Sequence, residues 1–523
     1  MAIFCLKTGV AKQLQKQNEM NSSLLRRVSV PILAAIFTFL FYRQQIAINL
    51  VLIEILFLGV LHILGELDLK NKLMQALLIG TTISAIAVVF NNSNFAKTVN
   101  MVSYVLLIGL VTAPELRSFF NIFRQGVFSL FGGIWLYFDQ LGQSKKERTT
   151  GRFLRILSLL GLPILIVIGF VGLYAVASPY FNQFLDSIFT VINRLFGKFL
   201  KHINLGMLLL YFLGFFIAAF NFFRVKKEAI VIDDQRYPDD LHRKKQKNGN
   251  VKMLSLKKEN QVSILLFGML NIVIFVVIAL DVYWVWINFS KNNYHLKQFV
   301  HGGTYLLILS ILLSVGLVLY TFSANLNFYK NNRLLKNMVY VWLVQNAVLA
   351  VAVGIRNYRY IQYFGIAHKR IGLIAFLFLT IVGLWIVFTK VKSTKTFSFM
   401  ERRFLFVVYI VFVGLSLLNW DSFIASYNIR HYETVVLDLP YLQTLNNKAL
   451  PALDMSQNEQ KILDAQLKLV EDDTKLKLQM KYFKAHYLRK KARFLKKYPQ
   501  KSGLSWNWAD YRAYHQLLPN NPE

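Results

Sequence analysis

One acidic side chain, Glu54, lies in the middle of a long apolar stretch of the sequence. A carboxylate at membrane depth is expensive to bury, so Glu54 is either a proton or cation site or a protonated group that hydrogen-bonds a neighbouring helix. His62 follows eight residues later, about 12 Å along a helix, which is too far for direct contact. The sequence leaves both interpretations of Glu54 open.

A second group of polar side chains gathers at the ends of later apolar stretches. Its members are Asp281, His301, Arg356, Arg359, Tyr360, Arg370, Asp421, Tyr427 and Asn428. Arginines and aromatic faces suit an anionic or sugar-like ligand. The alternative is a network that pins helix ends and docks the C-terminal tail, with Asp421, Tyr427 or Asn428 against the segment 356–370. In that network we expect a coupled pair between Arg356 and Asp421.

The common signatures of catalysis do not occur in the sequence. It contains no phosphate-binding G-x-x-x-x-G-K-[ST] loop, no G-x-S-x-G elbow, no H-E-x-x-H zinc pair and no dinucleotide fingerprint. Cys5 is the only cysteine, which excludes an internal disulfide and a cysteine-based metal site. We therefore expect no metal and no cofactor, and an enzyme acting on lipid or glycan is the least favoured function.

The composition of the 523 residues excludes most soluble classes of protein. Hydrophobic residues make up 55% of the chain and charged residues 17%, against roughly 25% charged in soluble domains. The net charge of +33 would suggest nucleic acid in a soluble protein. In a membrane protein, basic residues flank the spans and set their orientation. We therefore expect the lipid bilayer, and not nucleic acid, as the main partner.

The elements that position these side chains are predicted to be helices that cross the membrane, each needing about 20 apolar residues. The sequence predicts an all-α integral membrane protein with about eleven transmembrane helices. The predicted spans are 28–42, 46–65, 73–90, 99–113, 156–177, 205–223, 262–287, 304–322, 338–355, 371–389 and 404–418. The stretch 119–138 is interrupted by Arg124 and Gln125, so we expect an interfacial helix, with a twelfth span as the alternative.

Basic residues in the loops predict the orientation of the spans. With the N-terminus in the cytoplasm, the inner segments up to residue 418 hold 33 Lys and Arg and the outer segments hold 11. Residues 1–27 form a cytoplasmic segment without the apolar core of a signal peptide. The C-terminus is therefore predicted to lie outside the cytoplasmic membrane.

Two polar regions divide the chain. The basic cytoplasmic loop 224–260 separates a first block of six spans, 28–223, from a second block of five, 261–418. Its composition indicates a mobile linker, and anionic lipid is a possible partner, with a plain orientation signal as the alternative. Residues 419–523 predict an amphipathic helical tail outside the membrane, through which an envelope protein could bind.

The tail contains apolar residues at the spacing of one helix face. They are Leu476, Met480, Phe483, Tyr487 and Phe494. We expect this face to pack on neighbouring helices. The alternative is a basic amphipathic helix that lies on the membrane surface.

Three short motifs carry a family resemblance. They are Phe299-Val300-His301-Gly302-Gly303, then Arg356-x-x-x-Tyr360-Ile361 with Tyr363-Phe364-Gly365-Ile366 and Arg370, and finally Asn419-x-Asp421-x-x-Ile424-Ala425-x-Tyr427-Asn428-Ile429 with Asp438-x-x-Tyr441-Leu442 and Ala449-Leu450-Pro451-x-Leu453. Together they resemble the bacterial membrane family called domain of unknown function 4153, and its sibling 4173, over roughly 156–453. The resemblance implies a bacterial inner-membrane protein with many spans and implies no reaction.

These features predict a non-enzymatic envelope protein that senses or scaffolds through its outer-face cluster and tail. The alternative is a proton- or cation-linked transporter that uses Glu54 within the helical bundle.

Overall fold

A computed structural model describes residues 2–143, 205–243, 253–283, 293–323, 325–456, 458–470 and 473–518, with some positions between 178 and 190. The described residues form α-helices and short 3-10 helices, without a β-strand among them. The all-α class is thereby confirmed. The chain divides into two compact units, the first made of Met1–Asp234 with Ser502–Asn507, and the second of Gln235–Lys501 with Trp508–Glu523.

Six helices within the described ranges are long and apolar enough to cross a membrane. They are Asn21–Phe41, Lys72–Asn91, Asn94–Thr112, Leu256–Asp281, Arg333–Phe364 and His368–Lys392. Phe397–Ser416 and Trp420–Arg430, bent by 64°, count as a seventh if they form one span. Three shorter apolar helices coincide with further predicted spans, and the predicted span 156–177 lies outside the described residues. The multi-pass membrane class is confirmed, and the number eleven stays a prediction.

The first unit is a bundle of helices that pack through apolar side chains. Its helices are α1 (Ala2–Phe41), α2 (Ile48–Ile63), α3 (Lys72–Asn91), α4 (Asn94–Thr112), α5 (Phe119–Gln143) and α6 (Leu205–Phe222), followed by α7 (Glu228–Arg236), which contains the boundary between units. Phe57, Leu61 and Phe222 lie in its buried core. Residues 119–138, predicted as interfacial, belong to α5, which packs on α4 and α6.

Two glycines bring the backbones of α4 and α5 together. A Cβ atom on Gly109 would collide with the carbonyl oxygen of Ile122, and one on Gly126 would collide with the carbonyl oxygen of Val105. Small residues are the usual means by which membrane helices approach closely, because lipid offers no hydrophobic drive between helices.

The second unit combines apolar helices with a smaller helical part. The apolar helices are α8 (Met253–Asp281), α9 (Asn293–Thr321), α10 (Arg333–Phe364), α11 (His368–Lys392) and α12 (Phe397–Ser416). The smaller part, here called the C-terminal module, contains α13 (Trp420–Arg430), α14 (Leu439–Thr444), a 3-10 helix (Asn447–Leu453), α15 (Glu459–Leu467), α16 (Asp473–Lys497) and α17 (Trp508–Leu517).

The C-terminal module has its own apolar core. The predicted stripe on α16 is buried throughout, with exposures between 3% and 8% from Leu476 to Phe494. The same core includes Ile361 and Ile366, at the end of α10 and in the turn that follows it. The stripe therefore packs on neighbouring helices, as its periodicity predicts, and is not available to lie in a membrane surface.

The loop 224–260 is structured where it is described. Asp234 accepts hydrogen bonds from the backbone N–H groups of Arg117 (2.9 Å) and Ser118 (3.1 Å), next to the start of α5. Within the second unit, Asp239 pairs with Arg402 at 2.8 Å and Asp240 with Lys395 at 2.6 Å. These contacts anchor the described part of the loop within each unit separately, where composition indicates a mobile linker.

Candidate functional site

Helix α2 places Glu54 inside the first unit, facing polar residues of α3 and α4. Glu54 is 7% exposed. Asn100 Nδ2 lies 3.3 Å from Glu54 Oε2, 3.3 Å from Ser84 Oγ and 3.4 Å from the carbonyl oxygen of Thr81. Among the described residues, Glu54 forms no ion pair. The amide of Asn100 therefore links this acid to Ser84 and Thr81, and no described cation pairs with Glu54.

Further polar side chains continue from this site along the bundle. Tyr104, one helical turn after Asn100, donates its hydroxyl proton to Asn221 Oδ1 at 2.5 Å. Arg224 donates in turn to the carbonyl oxygen of Asn221 and pairs with Glu66. His62, in contrast, is exposed near the end of α2. It is not part of this line of polar groups.

A cavity of about 220 Å³ lies at the end of the first unit that this line approaches. Its lining residues are Arg26, Glu66, Val111, Thr112, Leu136, Gln140, Phe222, Phe223, Arg224 and Lys226. Glu54 is not among them, so the cavity does not reach the buried acid.

The second unit joins Asp281 and Arg356. Arg356 donates from Nε to Asp281 Oδ2 at 3.1 Å and from Nη2 to Asp281 Oδ1. Both side chains are buried. The pair is bidentate, which is the strong form of a carboxylate–guanidinium interaction. The expected pair between Arg356 and Asp421 is therefore wrong, because the neighbouring helix α8 already supplies the acid that Arg356 meets.

Asp421, in the first turn of α13, meets a lysine and a histidine from elsewhere in the unit. Its carboxylate lies 3.1 Å from Lys448 Nζ and 3.4 Å from His368 Nε2, and Asn446 Nδ2 donates to it at 3.0 Å. Burial alone would raise the pKa of Asp421, but the hydrogen bonds from His368 and Asn446 and the charge of Lys448 hold it well below its usual range. His368 Nδ1 lies 2.8 Å from the hydroxyl of Tyr441.

Asn428 holds the turn that follows α10. Its Oδ1 accepts from the backbone N–H of Ile366 at 2.8 Å, and its Nδ2 donates to the carbonyl oxygen of Ile366 at 2.9 Å. The preceding Gly365 has φ +73°, and a Cβ there would collide with Asn428 Oδ1. Two of the three sequence motifs thus meet here, so the polar residues after the last apolar helix contact the segment 356–370 through Ile366 and His368.

The remaining members of the predicted cluster are dispersed. The Arg370 guanidinium carbon lies 3.5 Å from the ring centroid of Tyr360, a cation–π contact. Arg359 is near Gln362 at 3.5 Å, and the ring of Tyr427 stacks on His431. His301 belongs to α9, and its side chain lies outside the described residues. Of these contacts, Arg370–Tyr360 joins α11 to α10, whereas Arg359–Gln362 lies within α10 and Tyr427–His431 lies at the end of α13. Together with the pairs above, this arrangement favours the network over a single anion site.

Sequence reasoning missed several residues at these sites, among them Asn100 and Lys448. Asn100 carries a usable signal, because an amide inside an apolar span needs a partner. Lys448 has no such signal in the sequence, because it meets Asp421, 27 residues away, only once the chain is folded. In the described ranges, no cluster of three or more His, Cys, Asp or Glu is arranged to hold a metal.

Comparisons with known proteins extend the motif resemblance towards the N-terminus. The family model described as Domain of unknown function (DUF4153) matches residues 29–456, a range that contains Glu54, the Asp281–Arg356 pair and Asn428. Neither the curated proteins nor the solved structures contain a significant match to the chain. Because the family model covers well over half of the sequence, the chain belongs to the DUF4153 family.

Proposed function

We propose that this protein is a non-enzymatic scaffold of the bacterial inner membrane, which holds the C-terminal module rigidly on the extracytoplasmic ends of α10 and α11. The main observation behind this proposal is the apolar core that the C-terminal module shares with the end of α10 and the turn after it. Ile361 and Ile366 pack in one cluster with Ile424, Leu442 and Phe483 of the module. The contacts of Asn428 and Asp421 fix the same junction with hydrogen bonds and charge. A rigid mounting of this kind suits a domain that presents a surface to a partner.

Two observations support an extracytoplasmic C-terminus with eleven spans. Described apolar helices coincide with ten of the eleven predicted spans, and an odd number of spans puts the two termini on opposite sides. In the first unit, Ser505 Oγ accepts from the backbone N–H of Gln45 at 2.9 Å and donates to Gln44 Oε1 at 2.8 Å. Gln44 and Gln45 form the turn between α1 and α2, which the basic-residue count assigns to the outer face.

The outward face of α16 indicates the kind of partner. This helix contains eight lysines and two arginines, and Asp473 is its one acidic residue. Opposite the buried stripe, Lys481, Arg489 and Arg493 are exposed together with Leu478 and Tyr482. Positive charge interleaved with apolar side chains is complementary to an acidic protein surface. The proposed partner is therefore an acidic envelope protein.

In-cell photocrosslinking tests this proposal. A photoreactive residue at Tyr482, which is 65% exposed, should give a crosslinked product of discrete mass, and Glu433 on the same module is the control position. Arg489→Glu combined with Arg493→Glu should abolish the product by charge repulsion. Equal crosslinking at both positions, or a C-terminal reporter fusion that is active in the cytoplasm, would reject the scaffold.

The unpaired Glu54 supports a second candidate, a proton- or cation-linked transporter. The line of polar groups through Tyr104 and Asn221 leads from the carboxylate towards the cavity. In proteoliposomes containing a pH-sensitive dye, Glu54→Gln should abolish any transport-linked proton movement. Glu115→Gln, at a partly exposed acid outside this line, should retain it. Proton movement that survives Glu54→Gln would remove this candidate.

A further inference from the structure

The cavity of the first unit carries more positive than negative charge on its walls. Arg26 Nη2 pairs with Glu66 Oε1 at 2.6 Å, and Arg224 pairs with the other oxygen of the same carboxylate. The Glu66 carboxylate thus pairs with two arginines. Lys226, also in the lining, pairs with Glu115, which lies outside the lining. The two arginines and Glu66 therefore leave one uncompensated positive charge at the cavity.

Hydrogen-bond donors at the cavity are also unused. The Nε atoms of Arg26 and Arg224 are buried and have no hydrogen-bond partner among the described residues. The Arg224 side chain is 11% exposed, so bulk water cannot easily replace a partner. A buried donor without a partner is costly, and more so when it is charged. An anion held by the guanidinium groups of Arg26 and Arg224, which line the cavity, would remove the charge excess.

The walls and the volume limit the kind of anion. Phe222, Phe223, Val111 and Leu136 make one side apolar, while Gln140 and Thr112 add polar groups. A volume of about 220 Å³ is below the ~300–1,000 Å³ of sites for drug-sized ligands. It suits a small anionic group attached to an apolar or extended remainder.

We propose that this cavity binds the phosphate ester of an anionic ligand through Arg26 and Arg224. Two sources supply this chemistry, the headgroup of an anionic phospholipid and a free phosphate compound. Basic pockets between membrane helices on the cytoplasmic side are known sites for anionic headgroups. The basic-residue count assigns this end of the bundle to the cytoplasm, and the apolar wall offers a place for the first part of an acyl chain.

The full-length protein in nanodiscs provides the test, with phosphatidylcholine alone or mixed with phosphatidylglycerol as the lipid probe. Phosphatidylglycerol retained after purification is measured by native mass spectrometry, and the melting temperature is measured with it. Arg26→Gln is the test variant, because Arg26 is partly exposed and Arg224 still compensates Glu66 in its absence. Lys70→Gln is the matched control, since it removes one exposed positive charge near the same end, outside the lining.

Arg26→Gln should weaken retention of phosphatidylglycerol about tenfold, the loss expected for one hydrogen bond to a charged group, and Lys70→Gln should leave it unchanged. Gln140→Leu, which changes no charge, should weaken the retention of phosphatidylglycerol less.

If inorganic phosphate raises the melting temperature in an Arg26-dependent manner and displaces the lipid, the site stands and its ligand is a soluble phosphate ester. Equal losses in both charge variants, or no Arg26-dependent response to either probe, would overturn the proposal. No residue of the C-terminal module is involved, so this result is independent of the scaffold proposal.

Discussion

Buried carboxylates in the two units have opposite surroundings. Asp281 and Asp421 in the second unit meet Arg356 and Lys448 directly. Glu54 in the first unit meets the amide of Asn100, and no described cation pairs with it. A buried acid that pairs with a cation can stay ionised and stabilise the fold. A buried acid among neutral groups must take up a proton or bind a cation, because the isolated charge has a large desolvation cost.

The difference predicts that the charge of the carboxylate matters to stability at Asp281 and Asp421 and matters little at Glu54. In the second unit, Asp281 joins α8 to α10 and Asp421 joins α13 to the 3-10 helix. The unpaired acid of the first unit contributes little to helix packing through charge. Changing each carboxylate to its isosteric amide therefore tests the comparison directly, since shape is kept and only the charge and one acceptor are lost.

Asp281→Asn should have the largest effect. It removes the carboxylate that pairs with the buried Arg356 guanidinium, and breaking a truly buried pair costs about 3–5 kcal/mol of unfolding free energy. Unfolding by SDS titration in mixed micelles measures this loss. Arg356→Met in the Asp281→Asn background should recover part of it, because the remaining charge is then removed. A loss below about 1 kcal/mol would show that the pair is solvated and that the comparison fails.

Asp421→Asn should have an intermediate effect of about 1.5–3 kcal/mol, the range for hydrogen bonds to charged groups. The Lys448 side chain is almost fully buried, but His368 is half exposed and can be solvated. The same titration measures the loss. His368→Asn is the control and should cost less than Asp421→Asn, because it removes one of the three polar contacts of the carboxylate. The reverse order would contradict this arrangement.

The Asp421 contribution should depend on pH in a defined direction. Because folding lowers the pKa of this carboxylate, its contribution is fully present above the unfolded pKa of about 3.9 and is lost as the pH falls towards the folded value. The difference between wild type and Asp421→Asn should therefore stay constant from pH 8 to pH 5 and shrink below about pH 4. A difference that already disappears between pH 7 and pH 5 would indicate that protonation of another group controls the junction.

Local patterns predicted the elements of this protein and did not predict their partners. The stripe from Leu476 to Phe494 repeats within one helix, so its burial is visible in the spacing alone. The Asp281–Arg356 pair joins residues 75 positions apart, and the Glu54–Asn100 contact joins residues 46 positions apart. Such pairs depend on which helices pack together, and apolar helices of similar length and composition contain little information about that choice.

Glu54→Gln should have the smallest effect on stability, less than about 1 kcal/mol in either direction. Asn100 Nδ2 can donate to the amide oxygen as it does to the carboxylate, and no cation is left unpaired by the change. The unfolding titration used for Asp281→Asn makes the two results directly comparable. Asn100→Leu is the control, and it should destabilise the bundle more than Glu54→Gln because it removes the donor shared by Glu54, Ser84 and the carbonyl of Thr81. A loss in Glu54→Gln as large as that in Asp281→Asn would mean that Glu54 is held as an ion by a partner in the bundle, and the contrast between the two units would then disappear.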